Sequence, residues 1–213
     1  MNWYKKSSKI NLIDRDTLRQ IDSMEPIILS AISEVKKHRK TIFVGDILIN
    51  HPYTKESLNV EIYVYYKKDN QAGYSEDNIE SLESLKLSGR IYLNAVYLND
   101  KNLKYTIYHE LSHIIDVKFL KGISDNKEYD FKSDEFDANS AGNLTFLDEY
   151  LNKIQDSNKR NKIIDNLLLN LKSGEVPQIG QLPQLKELYL GDKVLYRKFL
   201  DRIYRYLINL KNH

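Results

Sequence analysis

Along RDTLRQIDSMEPIILSAISEVKKH, residues 15–38, apolar positions recur at helical spacing, and the pattern predicts one helix with Pro26 as the point where it can bend. The character then changes. TIFVGDILIN (41–50) and NVEIYVYYKK (59–68) are rich in Val, Ile and Tyr with partial alternation, and read as strands. DNQAGYSEDN (69–78) reads as a polar loop, and GRIYLN (89–94) as a short strand. Asp100 is positioned to cap a helix that runs to about Leu120 and stops before Gly122. After the polar stretch GISDNKEYDFK, a helix is expected from Ser133 to Ile154, followed by two more over 158–172 and 183–211. Strands come early and helices late, with no internal repeat, so the class is α+β.

Composition narrows this. The 213 residues suit one domain, with a sheet-bearing part over 1–122 and a helical part over 123–213. No apolar run approaches the roughly 18 residues of a membrane span, so no membrane partner is expected. MNWYKKSSKINLIDRD carries positive charge without an apolar stretch behind it and does not read as a secretion signal, which points to the cytoplasm. The chain has no cysteine, so disulfides and thiolate metal ligands are excluded together, and a transition metal has to be held by His, Asp or Glu. Net charge is +2, close to balance. The one dense basic run, KKHRK at 36–40, falls at a helix end, where cations meet the negative end of the helix dipole; a nucleic-acid partner is not expected.

Candidate chemistry sits in YTIYHELSHIID, 105–116. Helical residues four apart share a face, so His109 and His113 can place two imidazoles on one ion. Glu110 is rotated by about 100° from His109 and can face a water without binding the metal itself. Zinc lowers the pKa of its water to about 7, and a carboxylate there can take the proton. Leu103, Ile107, Leu111, Ile114 and Ile115 form an apolar stripe, which makes the helix largely buried. His38, His51 and His213 have no such company and are expected at the surface.

A catalytic zinc takes three protein ligands. Asp116, seven residues after His109, is about 10 Å further along a straight helix, so the third ligand has to come from another element. Candidates stand in SDEFDANSAGN, 133–143. Here the chain resembles the gluzincin class of zinc metallopeptidases, whose second helix supplies a ligand glutamate. Glu135-Phe136-Asp137-Ala138-Asn139 is similar to the E-x-E-A-N run of the ImmA/IrrE family, whose members cut or release phage and stress repressors. His109 to Asp116 resembles the HExGH-x-x-D pattern of the anthrax lethal factor and Pro-Pro endopeptidase catalytic domains, with Ser112 where those families commonly carry glycine. The resemblance spans roughly residues 89–145, about a quarter of the chain. It implies a zincin-like fold with a small mixed sheet, Zn2+ held by His109, His113 and Glu135, and Asn139 orienting a histidine. It also implies an oxyanion donor in the region of Tyr129. A helical wheel of 133–154 centres most large apolar residues nearer Asp137 than Glu135, so Asp137 and Asp134 remain alternative ligands.

A zincin needs an edge strand beside its metal so that an extended peptide can add to the sheet, and GRIYLN stands at the expected place. The reading is a zinc metalloendopeptidase acting on a peptide or protein substrate, with Glu110 as base. Two alternatives keep the fold: a non-catalytic scaffold serving as a binding or virion component, and a repressor-cleaving regulatory peptidase.

Overall fold

A computed structural model describes residues 15–50, 56–69, 71–76, 87–115, 131–173 and 192–212. Their contacts divide the chain into two units, 1–141 and 142–213.

The first unit opens with α1 (Arg15–His38), which buries Ile21, Met24, Ile28, Ala31, Ile32 and Val35 and leaves Pro26 exposed. A proline on the solvent side frees a carbonyl that water can satisfy, so helical structure continues past it. Lys36, Lys37 and His38 occupy the last turn, as the basic run suggested. Arg39 ends the helix at φ 60°, its N–H donating to Val35 O at 2.8 Å, and its guanidinium lies 3.4 Å from the Tyr66 ring centre. His38 is exposed, as expected; His51 and His213 lie outside the described residues.

Four strands follow: β1 (Ile42–Asn50), β2 (Ser57–Tyr65), β3 (Gly73–Glu76) and β4 (Leu87–Asn94). They form one sheet in the order β1-β2-β4-β3, with β2 and β4 parallel and the other pairs antiparallel. This corrects two expectations. GRIYLN is flanked on both sides and is not an edge. The edge beside the helix α2 (Leu103–Ile115) is GYSE, within the stretch read as a polar loop. Four residues are too few for a visible alternation. They are held by pairing to β4 and by Tyr74, whose ring stacks on Tyr92 at 4.6 Å.

Alternate residues of β2 and β4 (Leu58, Val60, Ile62, Val64, Ile91, Leu93) are buried with the apolar faces of α1 and α2, so both helices cover one face of the sheet. The opposite face carries an aromatic ladder across all four strands: Phe43 to Tyr63 at 5.2 Å, Tyr63 to Tyr92 at 5.2 Å, and Tyr92 to Tyr74. Lys104 ties the two helices together through Asp22 and through Glu25 at 3.3 Å.

The helix α2 starts at Leu103 and not at Asp100. Asn102 O accepts the Thr106 N–H at 3.0 Å, while the Asn102 side chain accepts from Asn99 N and donates to Tyr97 O. Asn102 thus does the terminal work, with Asp100 exposed in the turn before it. The helix α3 (Phe131–Asn152) continues from the first unit into the second. In the second unit, α4 (Ser157–Lys172) is capped by Asp156, which accepts from Asn158 N and Lys159 N, and packs with α5 (Lys193–Asn212). Asp192 caps α5 by accepting from Val194 N and Leu195 N, so the single helix expected over 183–211 is interrupted there. Residues 183–191 are outside the described residues.

The two sheet edges differ. At β1, Gln20 reaches from α1 to Leu48, donating to its O at 3.0 Å and accepting from its N at 2.9 Å, so its amide takes the place of a neighbouring strand. A register shift between Phe43 and Gly45 breaks the same edge further. Gln20→Ala should lower the unfolding free energy by about 1 kcal/mol in denaturant titration. It should also make sedimentation concentration-dependent, because an uncovered edge can pair with another copy.

Arg90 donates to Glu61 at 2.7 Å and, chiefly through that bond, holds the Glu61 carboxyl below its usual 4.5. A lowered carboxyl stabilises the fold above the ordinary glutamate value, and that contribution is lost as pH falls below it. The contribution is modest, since both side chains are about a third exposed. Glu61→Gln should therefore flatten the acid side of a stability–pH curve and leave the neutral region nearly level.

Candidate metal centre

The chemistry-bearing helix is α2. It buries Leu103, Ile107, Leu111, Ile114 and Ile115 against the sheet, which fixes its rotation and leaves His109 and His113 half-buried on another side. Their Nε2 atoms face each other at 3.2 Å, with ring planes 84° apart. Two ligands of one tetrahedral zinc, at about 2.0–2.1 Å from the ion, stand roughly 3.3–3.4 Å apart. The pair therefore fits a shared ion.

Glu110 is buried, only 6% exposed. A carboxylate held away from water is costly unless its surroundings favour the charge or it takes up a proton. Its Oε1 lies against β3: a Cβ built on Gly73, the first residue of that strand, would be 3.5 Å from it. The base candidate and the strand that is outermost among the described residues are thus brought together. Nearby on β2, burial first and Asp69 next push the Tyr65 hydroxyl up to about 12, with Glu110 a smaller cause. Tyr65 stays neutral at physiological pH and does not compete as a base.

The second helix meets the first through one resolved bond. The Tyr105 hydroxyl donates to Asn139 Oδ1 at 2.5 Å, and the Tyr105 ring centre is 6.1 Å from that of His109. Asn139, expected to orient a histidine, thus accepts from a tyrosine one turn before one. The wheel argument for Asp137 loses its basis, because α3 has no solvent face along this stretch: Phe136 and every residue from Ala138 to Thr145 are buried, with Asp137 half-buried among them. Where a helix is buried all round, the apolar centroid does not say which side faces the histidines.

Glu135 and Asp134 are placed by their backbone in the first turns of α3; their side chains, like Tyr129 and Asp116, lie outside the described residues. Among the described residues no group of three or more His, Asp or Glu gathers in a form that could hold a metal.

Sequence reasoning missed Gly73 and Tyr105. Tyr105 carried a usable signal, an aromatic polar residue one turn before the first histidine. Gly73 carried only a glycine in a polar stretch, which turns share. Tyr105→Phe removes the donor to a buried amide oxygen and should cost about 1 kcal/mol in denaturant unfolding. Compared with models of protein families, with curated proteins and with solved structures, the chain matches none.

Proposed function

We propose that this protein is a zinc-dependent metalloendopeptidase of gluzincin type. The observation that carries the reading is the pair of facing Nε2 atoms, 3.2 Å apart, with the glutamate that follows the first histidine buried beneath β3, the edge strand among the described residues. A histidine pair alone would suit a structural or storage site. A buried carboxylate between the pair and a free edge suits hydrolysis of an extended chain.

His109 and His113 supply two ligands and Glu135 the third. Support for Glu135 comes from spacing around the Tyr105–Asn139 bond. One turn on from Tyr105 is His109; one turn back from Asn139 is Glu135. If α2 and α3 run in opposite senses at this bond, those two steps reach the same level, which favours Glu135 as the third ligand. Asp134 and Asp137 do not share that face.

When bound, zinc supplies Lewis acidity and brings the pKa of a water down to about 7. Glu110 would be the base that holds a proton taken from water and passes it to the departing amine. The main chain of β3 receives the substrate as an added strand, since its outer side is unpaired among the described residues. Tyr129 is the donor that the resemblance offers for the developing oxyanion. The aromatic ladder on the far face of the sheet takes no part.

Elemental analysis of protein purified without chelators should give about one zinc per chain, lost or much weakened in Glu135→Ala. Glu110→Gln should keep the zinc and lose cleavage of a random peptide library by at least about a hundredfold. Absence of metal after zinc is supplied would sink the reading. Zinc without cleavage, in the native chain as in Glu110→Gln, would leave only a scaffold.

A further inference from the structure

We propose that Gly73 sets the depth of the substrate cleft: with no side chain, it lets the open edge strand lie directly on Glu110. The inference rests on the peptidase reading above and adds to it the residue that positions the substrate strand against the base.

Gly73 pairs with Leu93, whose side chain is fully buried on the helix side of the sheet, so a side chain at 73 would point the same way, into α2. It would enter between Thr106 and Glu110, one turn apart on that helix. A Cβ there would be 3.0 Å from Tyr92 O, 3.1 Å from Thr106 Cγ2 and 3.5 Å from Glu110 Oε1. The first is main chain of the neighbouring strand. The second belongs to a buried threonine whose hydroxyl donates to Asn102 O at 3.1 Å, so its methyl is not free to rotate away. Glycine inside a strand commonly marks such a close approach.

The chain before Gly73 cannot easily give way. Asn94, fully buried, donates through Nδ2 to Lys67 O at 2.8 Å, Asp69 Oδ1 at 3.0 Å and Gln71 O at 3.0 Å, and its main-chain N–H donates to Ala72 O at 2.9 Å. Its Oδ1 accepts from Lys67 N and Val96 N. One amide thus pins the loop that delivers β3 to the helix. With β4 fixed on one side and the loop pinned behind, extra volume at 73 has to be taken up in the gap between β3 and Glu110. A strand added outside β3 then sits further from the base. Gly73 touches no reacting atom and is a positioning residue.

The test separates the strand from the metal. Acetohydroxamate engages zinc alone, whereas a tripeptidyl hydroxamate engages zinc and also pairs with the edge. Calorimetry on the zinc-loaded chain should show Gly73→Ala keeping about one zinc. The variant should also bind acetohydroxamate within about twofold of the native chain and the tripeptidyl hydroxamate about tenfold or more weaker, the scale of a small misplacement. Gly73→Ala/Thr106→Ser should recover part of that loss, since serine keeps the hydroxyl bond and drops the methyl. Equal tripeptidyl affinity in native chain and variant overturns the proposal. So does a parallel loss for both ligands, loss of zinc, or failure of both variants to fold, because each assigns the glycine to the fold and not to the cleft. A native chain that takes no zinc removes the peptidase reading itself, and this inference with it.

Discussion

How closely α2 can sit on β4 and β3 determines where His109, Glu110 and His113 lie. Two contacts permit that closeness. A Cβ at Gly89 would fall 2.7 Å from Ile114 Cγ2, a distance no ordinary contact shows, and one at Gly73 would crowd the Thr106 methyl. One glycine seats the far end of the helix on the inner strand, and the other seats its middle on the edge. The apolar stripe supplies the driving force, since burying each large aliphatic side chain contributes about 1.5–3 kcal/mol. It does not choose the distance; the missing side chains do. His109, Glu110 and His113 inherit their positions from that choice.

Much of this was legible in the chain and some was not. The helix α1 and the span of α4 follow from apolar spacing almost to the residue, because each has one wet and one dry side. His109, Glu110 and His113 could be read as a unit, since a helix of known rise fixes their relation without reference to the rest of the fold. The edge strand was not readable. Which strand ends a sheet is decided by pairings between distant segments, and Gly73–Glu76 carries no apolar alternation to announce it. GRIYLN looked like the edge because it directly precedes the histidine helix, but β3, earlier in sequence, returns to pair outside it. In α3 a helical wheel carries little direction for the opposite reason: Asn139, Ser140, Asn143 and Thr145 are buried with the apolar residues, so polarity there does not mark exposure.

Side-chain amides, two of them buried, carry the specificity of the first unit. Asn94 answers for the loop before the edge strand, Asn139 for the contact between the two helices, and Asn102 for the start of the histidine helix. Each is an amide, able to donate and accept at once and indifferent to pH. A carboxylate in any of these places would bring charge into a region that already holds Glu110. Glu110 is the one carboxylate among the buried side chains of the described residues.

The unlike ends of the sheet have a consequence for assembly. One end is stoppered at Leu48 by a glutamine that imitates a strand; the other is unpaired among the described residues. In the language of polymer growth the sheet is monofunctional. A strand growing at β1 would have to displace the Gln20 amide from Leu48, whereas one growing at β3 would displace no pairing among the described residues.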